Sequence, residues 1–362
     1  MKGLRSQPLI ALAWLCVACG GQATEPPPSA EELLPTSAPV TLSAGQDHTC
    51  ALRSNGKVAC WGRGDHGQLG SWKESNTAEP RDVGRLDVAV HSVLAGGEHS
   101  CALTLDGSVW CWGRSDSGQA GSYEDIQYPA EVTELHQRVN QLSVGGGHSC
   151  ALIRDGSVEC WGFGGRGQLG HGFEDSSVPL QVKGLPKAQQ VIAARAYSCA
   201  LTVDGEVYCW GSASTGVLGD VVPHSVDTPT PIDFPAAVTS LASASADQAC
   251  ALLVDGRLMC WGSSPAERID LPVQREVEQP LIEVSLGELA SCALTSTGEL
   301  ECWASGALDP YANPPELSEA REVSAGLQHV CARTTDELWC WGSTQYGECG
   351  SFINLGEPIQ VF

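Results

Sequence analysis

Positive charge is scarce in this chain: 20 Lys and Arg stand against 43 Asp and Glu, a formal net charge of −23 over 362 residues. A surface that acidic repels phosphate backbones and anionic lipid head groups, so a nucleic-acid partner is not expected. Met and Phe are also few, at 2 and 5. Beyond the N-terminus no hydrophobic run is long enough to suggest a membrane span. Catalytic signatures are missing too: there is no phosphate loop, zinc-protease helix or nucleophile elbow. Neither an enzyme, nor a metal site, nor a cofactor is expected.

What the chain does have is 17 Cys and 41 Gly. That many cysteines points to an oxidising compartment or to metal binding, and their spacing has to decide.

Export is written at the N-terminus. Lys2 and Arg5 precede the apolar stretch Leu9-Ile-Ala-Leu-Ala-Trp-Leu-Cys-Val-Ala18, too short for a mature span, so residues 1–18 read as a signal peptide. The segment ends in Val17-Ala18-Cys19-Gly20, which is similar to the lipobox of bacterial lipoproteins. That resemblance implies acylation of Cys19 as the new N-terminus. Cys16 stands where such boxes carry Leu, and an ordinary secretory signal is the alternative. Residues 19–39 combine prolines with acidic residues and show no periodicity, as expected of a solvated tether. The expectation is a protein of the bacterial cell envelope, at the outer membrane and held only by its lipid, with secretion as the alternative.

From residue 40 to 362 the sequence repeats seven times. The shared unit is x-Ser/Thr-Cys-Ala-Leu, a turn rich in Asp-Gly, then Val-x-Cys-Trp-Gly, with successive units 39 to 51 residues apart. A period of this length belongs to propellers and related arrays. The cysteines pair off by repeat: Cys50 with Cys60, Cys101 with Cys111, Cys150 with Cys160, Cys199 with Cys209, Cys250 with Cys260, Cys292 with Cys302 and Cys331 with Cys340. In the first unit, Ser54-Asn55-Gly56 makes a three-residue hairpin loop with Gly in the left-handed position. That register sets Cys50 opposite Cys60, close enough for a disulfide. In the last unit the turn Thr334-Thr335-Asp336-Glu337 has lost the Gly and one residue, and the shorter loop again sets Cys331 opposite Cys340. Zinc sites predict no such compensation. Seven within-repeat disulfides are therefore expected, each worth at most about 2–3 kcal/mol for so short a loop.

Cys and Trp are neighbours on the strand and point to opposite faces, so both faces should be buried between blades. A further strand precedes each hairpin and a fourth follows a loop and a Pro, as in Pro80–Val83 and Pro179–Val182. The expected fold is all-β, a seven-bladed β-propeller of four-stranded blades with one cross-strand disulfide per repeat.

These repeats, with Gly67-Gln-Leu-Gly70, Gly167-Gln-Leu-Gly170 and the variants Gly118-Gln-Ala-Gly121, Gly216-Val-Leu-Gly219 and Gly347-Glu-Cys-Gly350, resemble the regulator of chromosome condensation repeat. Repeats five and six depart, with Ser263-Ser-Pro-Ala266 and Ala304-Ser-Gly-Ala307 in that place. The family includes exchange factors for small GTPases, a plant ultraviolet photoreceptor and secreted bacterial inhibitors of β-lactamase. The resemblance implies a scaffold that binds proteins through a propeller face, and not one activity.

His48, His99, His148 and His329 recur two residues before a repeat Cys and read as packing or hydrogen-bonding elements. Asp106, Asp155, Asp204 and Asp255 read as turn residues bonding their own backbone. Cys349 has no partner in the pattern and reads as a small buried hydrophobe; the alternative is a reactive thiol. Loop aromatics on a rigid scaffold suit interface anchoring, and Trp72, Tyr123, Tyr128, Phe173, Tyr346 and Phe352 are the candidates for binding a partner. The leading expectation is a monomeric, lipid-anchored module that binds a protein of the envelope or exterior. A glycan-binding or polysaccharide-processing propeller and a structural spacer without a specific ligand are the alternatives.

Overall fold

The computed structural model describes residues 39–362 apart from 73–74, 215, 220–223, 244–246, 264–267, 278, 289, 305–316, 318 and 354–357. The leader, Cys19 and the tether up to residue 38 lie outside the described residues.

The described chain folds as seven antiparallel sheets arranged as the blades of a propeller, without a helix. Blade 1 shows the plan: β1 (Pro39–Ala44), β2 (His48–Arg53), β3 (Val58–Gly62) and β4 (Thr77–Asp82) pair in sequence order. Six blades have four strands. The sixth shows three, Leu281–Ser285, Ala290–Thr295 and Leu300–Ala304, among the described residues.

Turn chemistry sets the hairpin register. Gly56 sits at φ 80° and donates to Arg53 O at 2.9 Å, while Asn55 Oδ1 accepts from Lys57 N–H at 3.0 Å. Asp106, Asp155 and Asp255 accept from the backbone two residues on in the same way. Cys50 therefore faces Cys60, and Thr49 faces Trp61. The same opposition recurs around the ring, and every expected disulfide is formed. Cys50 is joined to Cys60, Cys101 to Cys111, Cys150 to Cys160 and Cys199 to Cys209. Cys250 is joined to Cys260, Cys292 to Cys302 and, across the shortened seventh hairpin, Cys331 to Cys340. In all seven the Cα atoms lie 4.0–4.1 Å apart. Cys349 is free and fully buried, its Sγ donating to Ser343 O at 3.0 Å. Burial raises its pKa well above the usual thiol value, in keeping with a small buried hydrophobe.

The outer strands correct the expectation in one detail. They begin three residues before the Pro, at Thr77, Ile126 and Ser176, with Pro80, Pro129 and Pro179 inside the strand. This is the blade's edge, where a missing N–H costs no ladder bond, and the pairing shifts register there.

At the propeller's centre the blades are joined through the links that follow their first strands. Gln46 N–H donates to Gly96 O, Gly97 N–H to Gly145 O and Gly146 N–H to Ala194 O, each at 3.0 Å. A Cβ on Gly97 would lie 2.2 Å from Gly146 O, so the close approach of blades requires glycine there. Side chains add a second tier: Ser43 Oγ accepts from Ala95 N–H at 2.9 Å, and Gln190 bonds both N–H and C=O of Leu241 at 2.8 Å. The ring closes between blades 7 and 1 in the same manner. Ser324 Oγ accepts from Ala44 N–H at 2.9 Å, Glu322 Oε1 accepts from Leu42 N–H at 3.1 Å, and Phe362 packs edge-on against Trp61. Among the described residues each blade is built from its own stretch of chain, and none borrows a strand from another.

Candidate binding face

Each blade presents two ends. The loop from third to fourth strand and the link from first to second strand share one end; the Asp-Gly hairpin and the link to the next blade share the other.

The Gly-Gln-Leu-Gly element supports the first end. In blade 1, Gly67 and Gly70 have φ of 80° and 64°, Leu69 is buried, and Gln68 Oε1 accepts from His66 N–H at 2.9 Å. The backbone carbonyl of Gln68 then receives two donors from blade 2, Ser100 Oγ and Trp112 Nε1, both at 2.9 Å. Gln168 does the same for Ser198 and Trp210, and Glu348 for Thr49 and Trp61. Because that hydroxyl gives its hydrogen to the carbonyl, the histidine reaching it must be the donor. His48, His99, His148 and His329 lie with Nε2 2.8–3.0 Å from Ser100, Ser149, Ser198 and Thr49. They are therefore neutral Nε2–H tautomers, and their Nδ1 atoms have no hydrogen-bond partner. Burial holds His48, His99 and His148 down to about 3 and His329 to about 4. These imidazoles join blades and have no access to a substrate. Nor does any group of three or more His, Cys, Asp or Glu stand ready for a metal ion among the described residues.

Over this buried layer lies a charged network at the same end. Arg63 of blade 1 pairs with Asp65 at 2.9 Å and reaches Glu98 of blade 2 at 2.9 Å. Glu98 in turn contacts Arg114, which also pairs with Asp116 at 2.6 Å. The Asp116 carboxyl is held below its usual range chiefly by that arginine, and burial pushes Asp47 up. The arginines are thus consumed by internal pairing, and the loop tips beyond them carry the exposed surface.

At those tips the candidate aromatics separate into two groups. Trp72, Tyr123 and Phe352 stand two residues after the last glycine of the loop element, and Phe173 stands three after it. They are exposed, at 69%, 55%, 55% and 48%. Since blade 7 adjoins blade 1, they form an arc over four consecutive blades, 7, 1, 2 and 3. The Tyr123 hydroxyl bonds Asp175 O at 3.2 Å and Ser177 N–H at 3.3 Å, which ties the tip of blade 2 to blade 3. Exposed Glu124 and Glu174 follow Tyr123 and Phe173 directly. Tyr128 lies instead on the outer strand of blade 2 with the Arg85 guanidinium 4.1 Å from its ring centre, and half-buried Tyr346 is covered by Arg63 at 5.4 Å. Both rings are engaged by the chain's own cations.

The sequence of a known domain matches over most of this chain. The RCC1-like domain profile covers residues 18–246, and the regulator of chromosome condensation (RCC1) repeat covers 320–348. The chain belongs to the RCC1-like family. Among curated relatives it is 43% identical over 82 residues to the probable E3 ubiquitin-protein ligase HERC3 of Homo sapiens, covering 22% of this chain and 8% of that protein. It is 37% identical over 103 residues to the mitochondrial RCC1 domain-containing protein RUG3 of Arabidopsis thaliana, covering 28% of this chain and 22% of that one. The chain thus spans less than a quarter of either relative's length. Among solved structures, human WBSCR16 superposes with a TM-score of 0.70 at 20% identity, covering 82% of this chain and 87% of that one. Prp20p of Saccharomyces cerevisiae, whose structure was described with its binding to Gsp1p and histones, gives 0.69 at 21%, covering 85% and 84%. At such identities the likeness is one of fold. RCC1-like propellers are typically protein-interaction modules.

Proposed function

We propose that this RCC1-like propeller is a lipid-anchored binding module of the bacterial cell envelope that engages a protein through the loop end of blades 7, 1, 2 and 3. One observation carries the reading: an exposed aromatic recurs two or three residues past the loop element's last glycine in four neighbouring blades, in Phe352, Trp72, Tyr123 and Phe173. A residue that recurs because the core needs it is buried, as the repeat Trp residues of blades 1 to 5 and 7 are. These recur and stay outside. Large rings on loops fixed by the Gln-carbonyl latch give rigid contact area at little entropic cost. The carboxylates beside them and the chain's net charge of −23 favour a basic partner surface and steer it during encounter. That Prp20p binds Gsp1p and histones supports use of the same scaffold for protein recognition. Cys19 would carry the lipid, and residues 20–39 would hold the propeller off the membrane.

The test is crosslinking of the full chain in intact cells, followed by capture. The expected result is one enriched basic protein, lost in the W72A/Y123A/F173A/F352A variant, while a C19A variant moves from the membrane to the soluble fraction. Capture unaffected by the four substitutions would overturn the assignment of the face.

A further inference from the structure

The opposite end of the propeller carries a cavity of about 700 Å³ where blades 3, 4 and 5 meet. That volume suits a compact organic ligand. Its wall includes Asn140, Gln141, Arg154, Asp155, Lys187 and Ser240 over a floor of Leu152 and Leu201.

Two cations share this wall by construction of the backbone. Arg154 is the corner residue of the blade 3 hairpin, where its N–H donates to Arg138 O at 3.1 Å. Lys187 ends the link to blade 4: the following residue, Ala188, donates to Gly156 O at 2.8 Å, and Lys187 O accepts from Val203 N–H at 3.0 Å. The Lys187 stem lies across Gly156, its Cβ 3.2 Å from where a Gly156 Cβ would stand.

One blade earlier the same geometry ends differently. Arg138 lies across Gly107 and pairs with the hairpin's own Asp106 at 3.4 Å. Arg53 and Arg257, at the same end of blades 1 and 5, also lie against carboxylates, Asp82 at 2.9 Å and Asp255 at 2.7 Å. In blade 3 the corresponding Asp155 also lines the cavity, but its oxygens are turned to other groups. It accepts from Ser157 N–H at 2.9 Å and Oγ at 2.7 Å, and its other oxygen faces Gln137 at 3.4 Å and His136 at 3.7 Å. Neither Arg154 nor Lys187 has a carboxylate partner among the described residues. In a chain with twice as many acids as bases, two exposed cations without counter-ions converge on one cavity.

The rest of the wall is rich in donors. Gln141 Oε1 accepts from Val191 N–H at 2.9 Å, which leaves its amide NH₂ as the free end. Ser240 and Asn140 offer a hydroxyl and an amide beside it. No aromatic ring lines the cavity. The chemistry selects an oxyanion held by Arg154 and Lys187, on a molecule whose remaining surface is polar enough for amides and hydroxyls.

We propose that this cavity binds a small polyhydroxylated oxyanion, such as a sugar acid or sugar phosphate, with Arg154 and Lys187 on the anionic group and Gln141 and Ser240 on the hydroxyls. The site lies at the end of the blades away from the aromatic arc, so the two readings stand or fall separately.

Titration calorimetry of the full chain with glucuronate, glucose 6-phosphate and neutral glucose tests it. One of the two anions should bind at least about tenfold tighter than glucose, a difference of about 1.4 kcal/mol; which one does identifies carboxylate or phosphate as the natural group. The R154Q/K187Q variant should lose that preference at an unchanged thermal midpoint, and K183Q, outside the cavity, should keep it. The W72A/Y123A/F173A/F352A variant should bind the anion normally. Equal affinity for glucose and both anions, or undiminished anion binding by R154Q/K187Q, would overturn the proposal.

Discussion

A histidine whose hydrogen bond crosses to the next blade ties the stability of this propeller to pH at single residues. His48, His99 and His148 titrate at about 3 in the folded protein, and His329 at about 4, against 6.5 for an unperturbed imidazole. Between those values the unfolded chain binds protons that the folded chain refuses. Stability from this source is therefore complete above pH 6.5 and is lost as pH falls toward the folded values. The slope is at most about 1.4 kcal/mol per pH unit for each histidine. Buried carboxyls with raised values act in the opposite sense: burial and the neighbouring Glu322 lift Glu283 to about 7, and burial raises Glu322, Asp47 and Asp247. Comparison of single variants isolates the imidazole contribution. Urea midpoints of H148Q, which places in blade 3 the glutamine that blade 5 carries as Gln248, should fall less between pH 7 and pH 5 than those of the parent. Equal falls would show that His148 does not titrate as a buried neutral base. The packing role of these histidines was legible from their recurrence at one repeat position. Their partners were not, because Ser100, Ser149, Ser198 and Thr49 belong to the neighbouring blade, and one-dimensional spacing shows only that a small residue faces Trp within its own hairpin.

The hairpin is where sequence and structure agree most closely, since a two- or three-residue loop permits few registers. Gly56 at positive φ and the deletion at Thr335-Asp336 each lead to opposed cysteines, and both pairs form. This yields a chemical expectation. Alkylation of the folded, unreduced chain should label none of the fourteen paired cysteines, and Cys349, buried behind its loop, should react only once the chain is unfolded. Labelling of several native cysteines would mean that the blades are not stapled. The outer strand was less legible. Pro80, Pro129 and Pro179 look like strand starts, but an edge strand tolerates a residue without an N–H, so pairing extends past them toward the loop. The loop element Gly-Gln-Leu-Gly could be recognised as a motif, yet its work is done by a backbone carbonyl, which no residue type announces.

Seven repeats of about 46 residues lead directly to the number of blades, because a repeat that cannot bury both its faces alone must stack on neighbours. The sequence also supplied the aromatics of the candidate face. What it could not supply was their sorting, since only the ring places Phe352 beside Trp72 and lets Arg85 and Arg63 cover Tyr128 and Tyr346. The cavity between blades 3, 4 and 5 was equally hidden, for Arg154 and Lys187 become neighbours only when the link to blade 4 folds across Gly156. One last consequence follows from blades that, among the described residues, each use one continuous stretch of the sequence. Phe362 packs on Trp61 with the Arg53 guanidinium 4.8 Å from its ring centre, and Arg53 pairs with Pro39, so the two ends of the propeller lie side by side. Topologically the chain is a string of beads bent into a circle, and the place of the cut carries no structural information. Joining residue 362 to residue 39 by a short flexible linker and opening the chain at Gly184, between blades 3 and 4, should give a circular permutant with the same seven disulfides. Its thermal midpoint should match the parent within a few degrees, whereas a propeller closed by strand exchange would lose a whole blade to the same operation.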